Sequence, residues 1–389
     1  MAKRIFTVLG LMSGTSMDGI DLALMRTDGE EVVEVLATRH EPWGKEMQAL
    51  MRAAMETALA QAWTDRKARP GLLARAEAAV TDSHVGAVRQ FLEDAGVRPD
   101  VIGFHGQTVV HRPQERLTVQ LGDGAALARA TGLPVVWDLR ADDVAAGGQG
   151  APLAPAYHAV LARRLDARPV AFVNIGGVAN VTWVGAAGRL IAFDCGPGNA
   201  PIDDWVRAQA GMIRDEGGRL AAKGRVDEAR LRQALAHPFF REMPPRSLDR
   251  HAFTADLAQG LSLEDGAATL TALTARGIAK AAEWMPELPA HWIVCGGGRH
   301  NRTLMAWLAA AVPGGIVAPV ETLGEDGDMI EAACWGFLAV RALRGLPLTW
   351  PDTTGVPQPL SGGILSLPDG STGPAAGRAV RLGRPRATD

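Results

Sequence analysis

Two stretches of this chain carry the same pattern, and that repetition limits the possible folds more than any other feature. Residues 4–39 read as a strand from Arg4 to Leu11, a small-residue loop from Met12 to Met17, a strand from Ile20 to Arg26, an Asp28-Gly29 turn, and a strand from Glu31 to Arg39. The pattern returns as a strand from Pro169 to Asn174, an Ile175-Gly176-Gly177 turn, a strand from Val178 to Val184, an Ala186-Ala187-Gly188 turn and a strand from Leu190 to Phe193. β-Branched and aromatic runs separated by glycine-containing turns are the signature of hairpins. Two copies, one in each half of the chain, point to two similar α/β lobes, since a solenoid repeats every ~20 to 50 residues.

Helical spacing fills the gaps at Lys45 to Trp63, Leu72 to Ala95 and Gly124 to Thr131, and further strands are expected at Val101 to Phe104, Leu117 to Leu121 and Pro134 to Trp137. The second half continues with helices near Asp227 to Ala236, Ala267 to Ala282, Thr303 to Ala311 and Asp328 to Leu343, and a strand at Trp292 to Cys295. The expected organisation is a first lobe over 1–150 with a helical insertion, a second over 151–345, and a Pro/Gly-rich tail over 346–389 that is loosely structured, above all beyond Gly370. A chain of 389 residues with 47% hydrophobic content can bury two cores.

Net charge of -3 leaves no electrostatic footprint for nucleic acid or an anionic membrane. Cys195, Cys295 and Cys334 are far apart and form no CxxC pair, which argues against a disulfide framework or structural zinc and fits a reducing, cytoplasmic setting. Lys3-Arg4 followed by Ile5 to Met12 faintly imitates a secretory leader, but the short apolar run leads directly into Ser13 and Asp18, and a buried strand explains it better. No apolar run of about 18 residues occurs, so no membrane span is expected.

Three glycine-rich turns carry the chemistry. The first runs from Gly10 to Asp21, with Gly14, Thr15, Ser16, Met17, Asp18, Gly19 and Ile20 between its flanking strands. Backbone N–H groups at such a turn can cradle phosphate oxygens; Thr15 and Ser16 add hydroxyls, and Asp18 is a candidate carboxylate for Mg²⁺. It is no Walker A loop, because no lysine follows and a strand comes next. The second turn, Asp194 to Asn199, includes Gly196 and Gly198 at a strand end. Asp194 there is the best candidate for a general base, or alternatively a helix N-cap. The third, Cys295 to Asn301, contains Gly296, Gly297 and Gly298, where a flat ring or phosphate could approach the backbone, as adenine and ribose would. His105 and Gln107, after another strand, fit either substrate hydrogen bonding or buried polar structure, and Asp138 to Asp143 is a further strand end where sugar hydroxyls could be read.

Taken in order, Gly10 to Asp21, His105 to Thr108, Asn174 to Asn180, Asp194 to Asn199 and Cys295 to Asn301 resemble the motifs of the anhydro-N-acetylmuramic acid kinases, over Ile5 to about Leu343. The resemblance implies two actin-like (ribonuclease H-like) lobes with ATP and Mg²⁺ in an interlobe cleft, a cytoplasmic homodimer, and a small amino sugar as substrate. It implies hydrolytic opening of 1,6-anhydro-N-acetylmuramic acid and phosphorylation of its oxygen 6 in peptidoglycan recycling. By the same resemblance Asp194 activates the attacking water, and Gly14 to Asp21, Gly176, Gly196, Gly198, Gly296 to Gly298 and Asn301 bind nucleotide. His105, Gln107 and Asp138 would then meet the sugar. Glu331 best fits a second carboxylate of the site, with Glu325 close enough to stand beside it and an ordinary helix-surface role equally open. Cys195 departs from the pattern, which has threonine after the aspartate. Another sugar kinase of the same fold, or a nucleotide-driven chaperone or filament protein, would share the hairpins. A dinucleotide oxidoreductase fits poorly, because no G-x-G-x-x-G follows the first strand.

Overall fold

The structure is a computed structural model that describes residues 3–14, 16–369 and 379–383. It opens with β1 (Phe6–Ser13), β2 (Gly19–Thr27) and β3 (Val33–Pro42), an antiparallel meander, followed by the helices α1 (Lys45–Ala60) and α2 (Leu72–Ala95). Then come β4 (Val101–Arg112), β5 (Leu117–Leu121), α3 (Gly124–Thr131), β6 (Val135–Trp137), α4 (Ala141–Ala145) and α5 (Pro155–Leu161). β4 runs parallel to β1 and to β6, while β5 folds back antiparallel on β4. The side chains of β1 from Val8 onward are all buried, as expected for an interior strand covered on both faces.

The second meander is β7 (Val170–Ile175), β8 (Val178–Val184) and β9 (Leu190–Pro197). It is followed by α6 (Ala200–Ala210), α7 (Glu228–Leu235), α8 (Leu263–Lys280), β10 (His291–Cys295), α9 (Arg302–Ala311) and β11 (Ile316–Pro319). β10 lies parallel to β7 on one side and to β11 on the other. The chain ends with α10 (Ile330–Leu343), α11 (Pro351–Thr354), β12 (Ile364–Ser366) and β13 (Ala379–Arg381).

The two sheets share a topology: β3-β2-β1-β4-β6 in one and β9-β8-β7-β10-β11 in the other, each a meander extended by parallel strands. That is the ribonuclease H-like arrangement of actin-like proteins, so the repeat read from the sequence is a repeat of fold. Each sheet has its own core. Leu9, Leu22, Val80, Phe91 and Phe104 belong to the first, and Val173, Phe193, Ile278, Trp292 and Leu304 to the second.

The division of the chain differs from the boundaries expected at 150 and 345. One compact unit comprises residues 1–160 and 329–389, and the other comprises 161–328. α10 therefore belongs with the opening meander, and the cause is a set of glycines. A Cβ added at Gly10 would lie 1.9 Å from the Ala332 carbonyl, and one at Gly103 would lie 2.3 Å from the Trp335 carbonyl. The α10 backbone rests directly on β1 and β4, a closeness that no larger residue permits. The tail is also better ordered than expected as far as Asp369. β12 pairs antiparallel with β6 and β13 with β12, which extends the first sheet at its edge. The remainder of the tail, 370–378 and 384–389, lies outside the described residues, as does Thr15.

Candidate active site

In the first unit the loop between β1 and β2 is held from below. Met17 takes a left-handed backbone (φ 56°), and its N–H donates to the Gly14 carbonyl at 3.1 Å. Gln107 Nε2 donates to that same carbonyl at 3.1 Å, and Ser13 Oγ donates to the Gly106 carbonyl at 2.9 Å. Ser16 and Asp18 are exposed, and the Ser16 hydroxyl donates to Asp18 Oδ1 at 2.6 Å. Asp21 Oδ1 lies 2.7 Å from His40 Nδ1. Met17, Gly19 and Ile20 are buried, so a ligand would meet this stretch through its backbone and through the two exposed side chains. A magnesium ion keeps several waters and takes one or two protein carboxylates beside its phosphates. The exposed Asp18 carboxylate with the adjacent hydroxyl fits that requirement, and no cluster of three or more metal-ligating side chains occurs among the described residues.

The residues expected to read sugar hydroxyls have separate roles. Gln107 supports the Gly14 loop from a buried position. Asp138, held at φ 57°, accepts a fork of hydrogen bonds from Arg66, so its carboxylate is already engaged. Burial raises its pKa, and the Arg66 guanidinium opposes that shift. His105 is buried and stacks on Trp335 with ring centroids 4.4 Å apart. Arg140 Nε donates to His105 Nε2 at 3.1 Å, which assigns the ring proton to Nδ1. Burial pushes the His105 pKa well down, so the ring stays neutral.

Arg140 also packs over the Trp335 ring at 4.9 Å and donates to the Gly150 carbonyl at 2.8 Å. Burial lowers its pKa, against the opposing charges of Glu331 and Asp143. Glu331 and Trp335 are four residues apart on α10 and share a face, so Glu331, Arg140, Trp335 and His105 form one cluster. Arg140 links the candidate residues, yet nothing in the sequence beyond its place after Asp138 singles it out.

In the second unit the three glycine segments converge at one end of the sheet. Asn199 N donates to the Gly176 carbonyl at 2.7 Å, and Gly198 N to the Gly177 carbonyl at 3.0 Å. A Cβ at Gly198 would fall 2.2 Å from the Gly176 carbonyl, and one at Gly296 (φ 74°) 2.3 Å from Asn174 Oδ1. Gly177 and Gly297 remain exposed at the rim. Asn301 caps α9, accepting from Leu304 N at 2.9 Å, which is a structural use of a residue expected to meet nucleotide. Arg299 fastens the third turn through Glu321 (2.7 Å), Asp328 (2.8 Å) and the Gly296 carbonyl (3.0 Å).

Asp194 ends the core of β9, and the segment 242–248 grips it. Its N–H donates to the Arg246 carbonyl at 3.0 Å, Arg246 Nε donates to its carbonyl at 3.1 Å, and Leu248 N donates to its Oδ2 at 2.7 Å. The Arg246 guanidinium sits among Phe193, Phe239 and Trp284, each ring centroid 4.7 to 5.5 Å away. Burial pushes the Asp194 carboxyl up to about 6, although the Leu248 N–H and Arg246 pull the other way. A carboxylate poised near neutrality can accept a proton and release it again. Asp194 does not cap α6; Asn199 occupies that position.

The family model described as anhydro-N-acetylmuramic acid kinase matches residues 6–367. The chain belongs to this family. A curated anhydro-N-acetylmuramic acid kinase from Rhizobium etli is 51% identical over 367 residues, covering 93% of this chain and 99% of that protein. One from Rhodospirillum rubrum is 52% identical over 356 residues, covering 91% and 92%. Among solved structures, the activator of 2-hydroxyisocaproyl-CoA dehydratase from Clostridium difficile aligns at TM-score 0.42 and 13% identity, over 87% of this chain and 97% of that one. Likeness at that level decides nothing about function.

Cys195 is fully buried and its Sγ donates to the Ala179 carbonyl at 3.3 Å, so the side chain faces the core. Glu325 is buried in an ion pair with Arg164 at 2.5 Å within the second unit, whereas Glu331 is exposed beside Arg140 in the first.

Proposed function

We propose that this chain is an ATP-dependent kinase that opens the 1,6-anhydro ring of anhydro-N-acetylmuramic acid with water and phosphorylates oxygen 6, giving N-acetylmuramic acid 6-phosphate. The observation that carries the reading is Asp194, a partly buried strand-end carboxylate with a pKa near 6 beside a cradle of glycine turns, in a chain of this family. Asp194 takes a proton from water as the water oxygen bonds to the anomeric carbon and the bond from that carbon to oxygen 6 breaks. Oxygen 6 then bonds to the γ-phosphorus, whose bond to the bridging oxygen breaks to release ADP. Positioning and charge stabilisation supply most of such a transfer.

In the first unit the backbone N–H groups of the Gly14 to Asp21 loop suit phosphate oxygens; in the second, those of the turns at Gly176, Gly198 and Gly296 to Gly298 suit a nucleotide, with Asn301 holding the last turn in place. Ser16 and Asp18 would hold Mg²⁺, which neutralises phosphate charge when bound. His105, Arg140 and Glu331 meet the amino sugar. Asp138 and Gln107 act behind them by fixing loops. No helix among the described residues is long and apolar enough to cross a membrane, and Cys195, Cys295 and Cys334 form no disulfide. Membership of this family supports a role in peptidoglycan recycling, in the cytoplasm and as a homodimer. The reaction run in ¹⁸O-labelled water tests the chemistry: early product carries the label on the anomeric hydroxyl if water attacks there. Unlabelled early product contradicts the ring-opening step.

A further inference from the structure

We propose that Arg381 is a positioning residue for the sugar-binding segment of the first unit, acting through Asp142. This rests on the reading that His105, Arg140 and Glu331 meet the sugar. Arg381 lies on β13, beyond the residues 6–367 that the family model matches.

Asp138 and Asp142 come from one short segment, close enough that the Asp142 charge disfavours ionised Asp138. Two guanidinium groups offset this repulsion. Arg66 forks onto Asp138 from the connection between α1 and α2. Arg381 Nε donates to Asp142 Oδ1 at 2.6 Å and also favours ionised Asp138 from nearby. The remaining oxygen of Asp142 accepts from Gly363 N at 2.8 Å, and Leu382 N donates to the Gly363 carbonyl at 2.8 Å. The tail strand and the segment are thus joined through both oxygens of one carboxylate. The segment is anchored again by Asp143, which accepts from Thr354 Oγ1 and Gly150 N, each at 2.6 Å.

Asp142 lies in the first turn of α4, and Arg140 stands immediately before that helix. Arg140 in turn fixes His105 and faces Glu331. Without Arg381, Asp142 keeps its backbone donor and loses its cation, leaving two carboxylates in repulsion. The segment relaxes by opening, and Arg140 moves with it. Displacements of about 1 Å at such a group are enough to weaken substrate alignment severalfold or more.

The test is steady-state kinetics of the full chain with MgATP and 1,6-anhydro-N-acetylmuramic acid. Arg381→Met should raise KM for the sugar roughly tenfold, with kcat and KM for ATP held within about twofold. Adding Asp142→Asn removes the stranded charge and should return the sugar KM to within about threefold of wild type. A purely structural role would instead lower the active fraction, and kcat with it, and would show no recovery in the double variant. If Arg381→Met alone does not fold, the double variant is the deciding protein. An unchanged sugar KM in the single variant overturns the inference, as does a double variant no better than the single. A wild-type enzyme that makes no sugar phosphate sinks the functional reading instead, which keeps the two failures distinct.

Discussion

Replacing Asp194 with asparagine should make the protein more stable and nearly inactive. Burial raises the Asp194 pKa from 3.8 to about 6 in the folded chain. The folded state therefore holds the proton more tightly than the unfolded chain, and stability falls as pH rises from about 4 to about 6, then levels off. A shift of that size corresponds to about 3 kcal/mol at neutral pH. The carboxylate is partly exposed, so ~1 to 3 kcal/mol is the range to expect once solvent screening is included. Asparagine carries no such cost, and its side-chain oxygen can still accept from Leu248 N. Thermal and denaturant melts from pH 3.5 to 8 should show the variant equal to wild type at the acid end and more stable above pH 6. Turnover should drop ~10²- to 10⁴-fold, the usual contribution of a positioned base. In the wild type, kcat/KM should rise with pH through about 6 and then flatten, because the free enzyme must deprotonate Asp194. A variant with wild-type turnover, or with a stability difference that ignores pH, would refute the assignment.

The grip on Asp194 and the seat of α10 make further predictions. Arg246→Met removes a cation that favours ionised Asp194, so the acid limb of the kcat/KM profile should move to higher pH; a limb that stays in place or moves down contradicts the role given to Arg246. Gly10→Ala would put a methyl 1.9 Å from the Ala332 carbonyl, forcing α10 off β1 and costing ~2 kcal/mol or more in a denaturant melt. A variant as stable as wild type would mean that the contact yields easily.

The parts of the fold visible in the sequence are those set by local patterns. Leu72–Ala95 and Gly124–Thr131 appear as expected, because alanine- and leucine-rich spacing ends at Gly96 and Gly132, both of which take left-handed angles. The hairpins at Gly14 and Gly176 were equally visible, since β-branched and aromatic runs and glycine turns are contiguous in the chain. What was hidden depends on partners distant in sequence. The helical period of Ile330–Leu343 says nothing about which sheet receives it; the answer lies in Gly10 and Gly103, more than two hundred residues earlier. β12 is three residues long and becomes a strand by pairing with β6 and β13, so composition alone made its surroundings look loose.

The site follows the same division. Asp194 stood out as a carboxylate at a strand end, but the segment that orients it, Arg246 to Leu248, carries no local motif. His105 was marked by itself and Arg140 only as part of the strand end from Asp138 to Asp143, although Arg140 joins His105 to the Glu331 face of α10. Asp138 looked available in sequence because Arg66, its partner, lies in the connection between two helices.

The most direct test of the account is to incubate the purified chain with MgATP and 1,6-anhydro-N-acetylmuramic acid and follow ADP release together with the mass of the sugar product. The account predicts stoichiometric ADP and a product heavier than the substrate by the elements of water and one phosphoryl group. ADP release with the anhydro sugar recovered unchanged would contradict it.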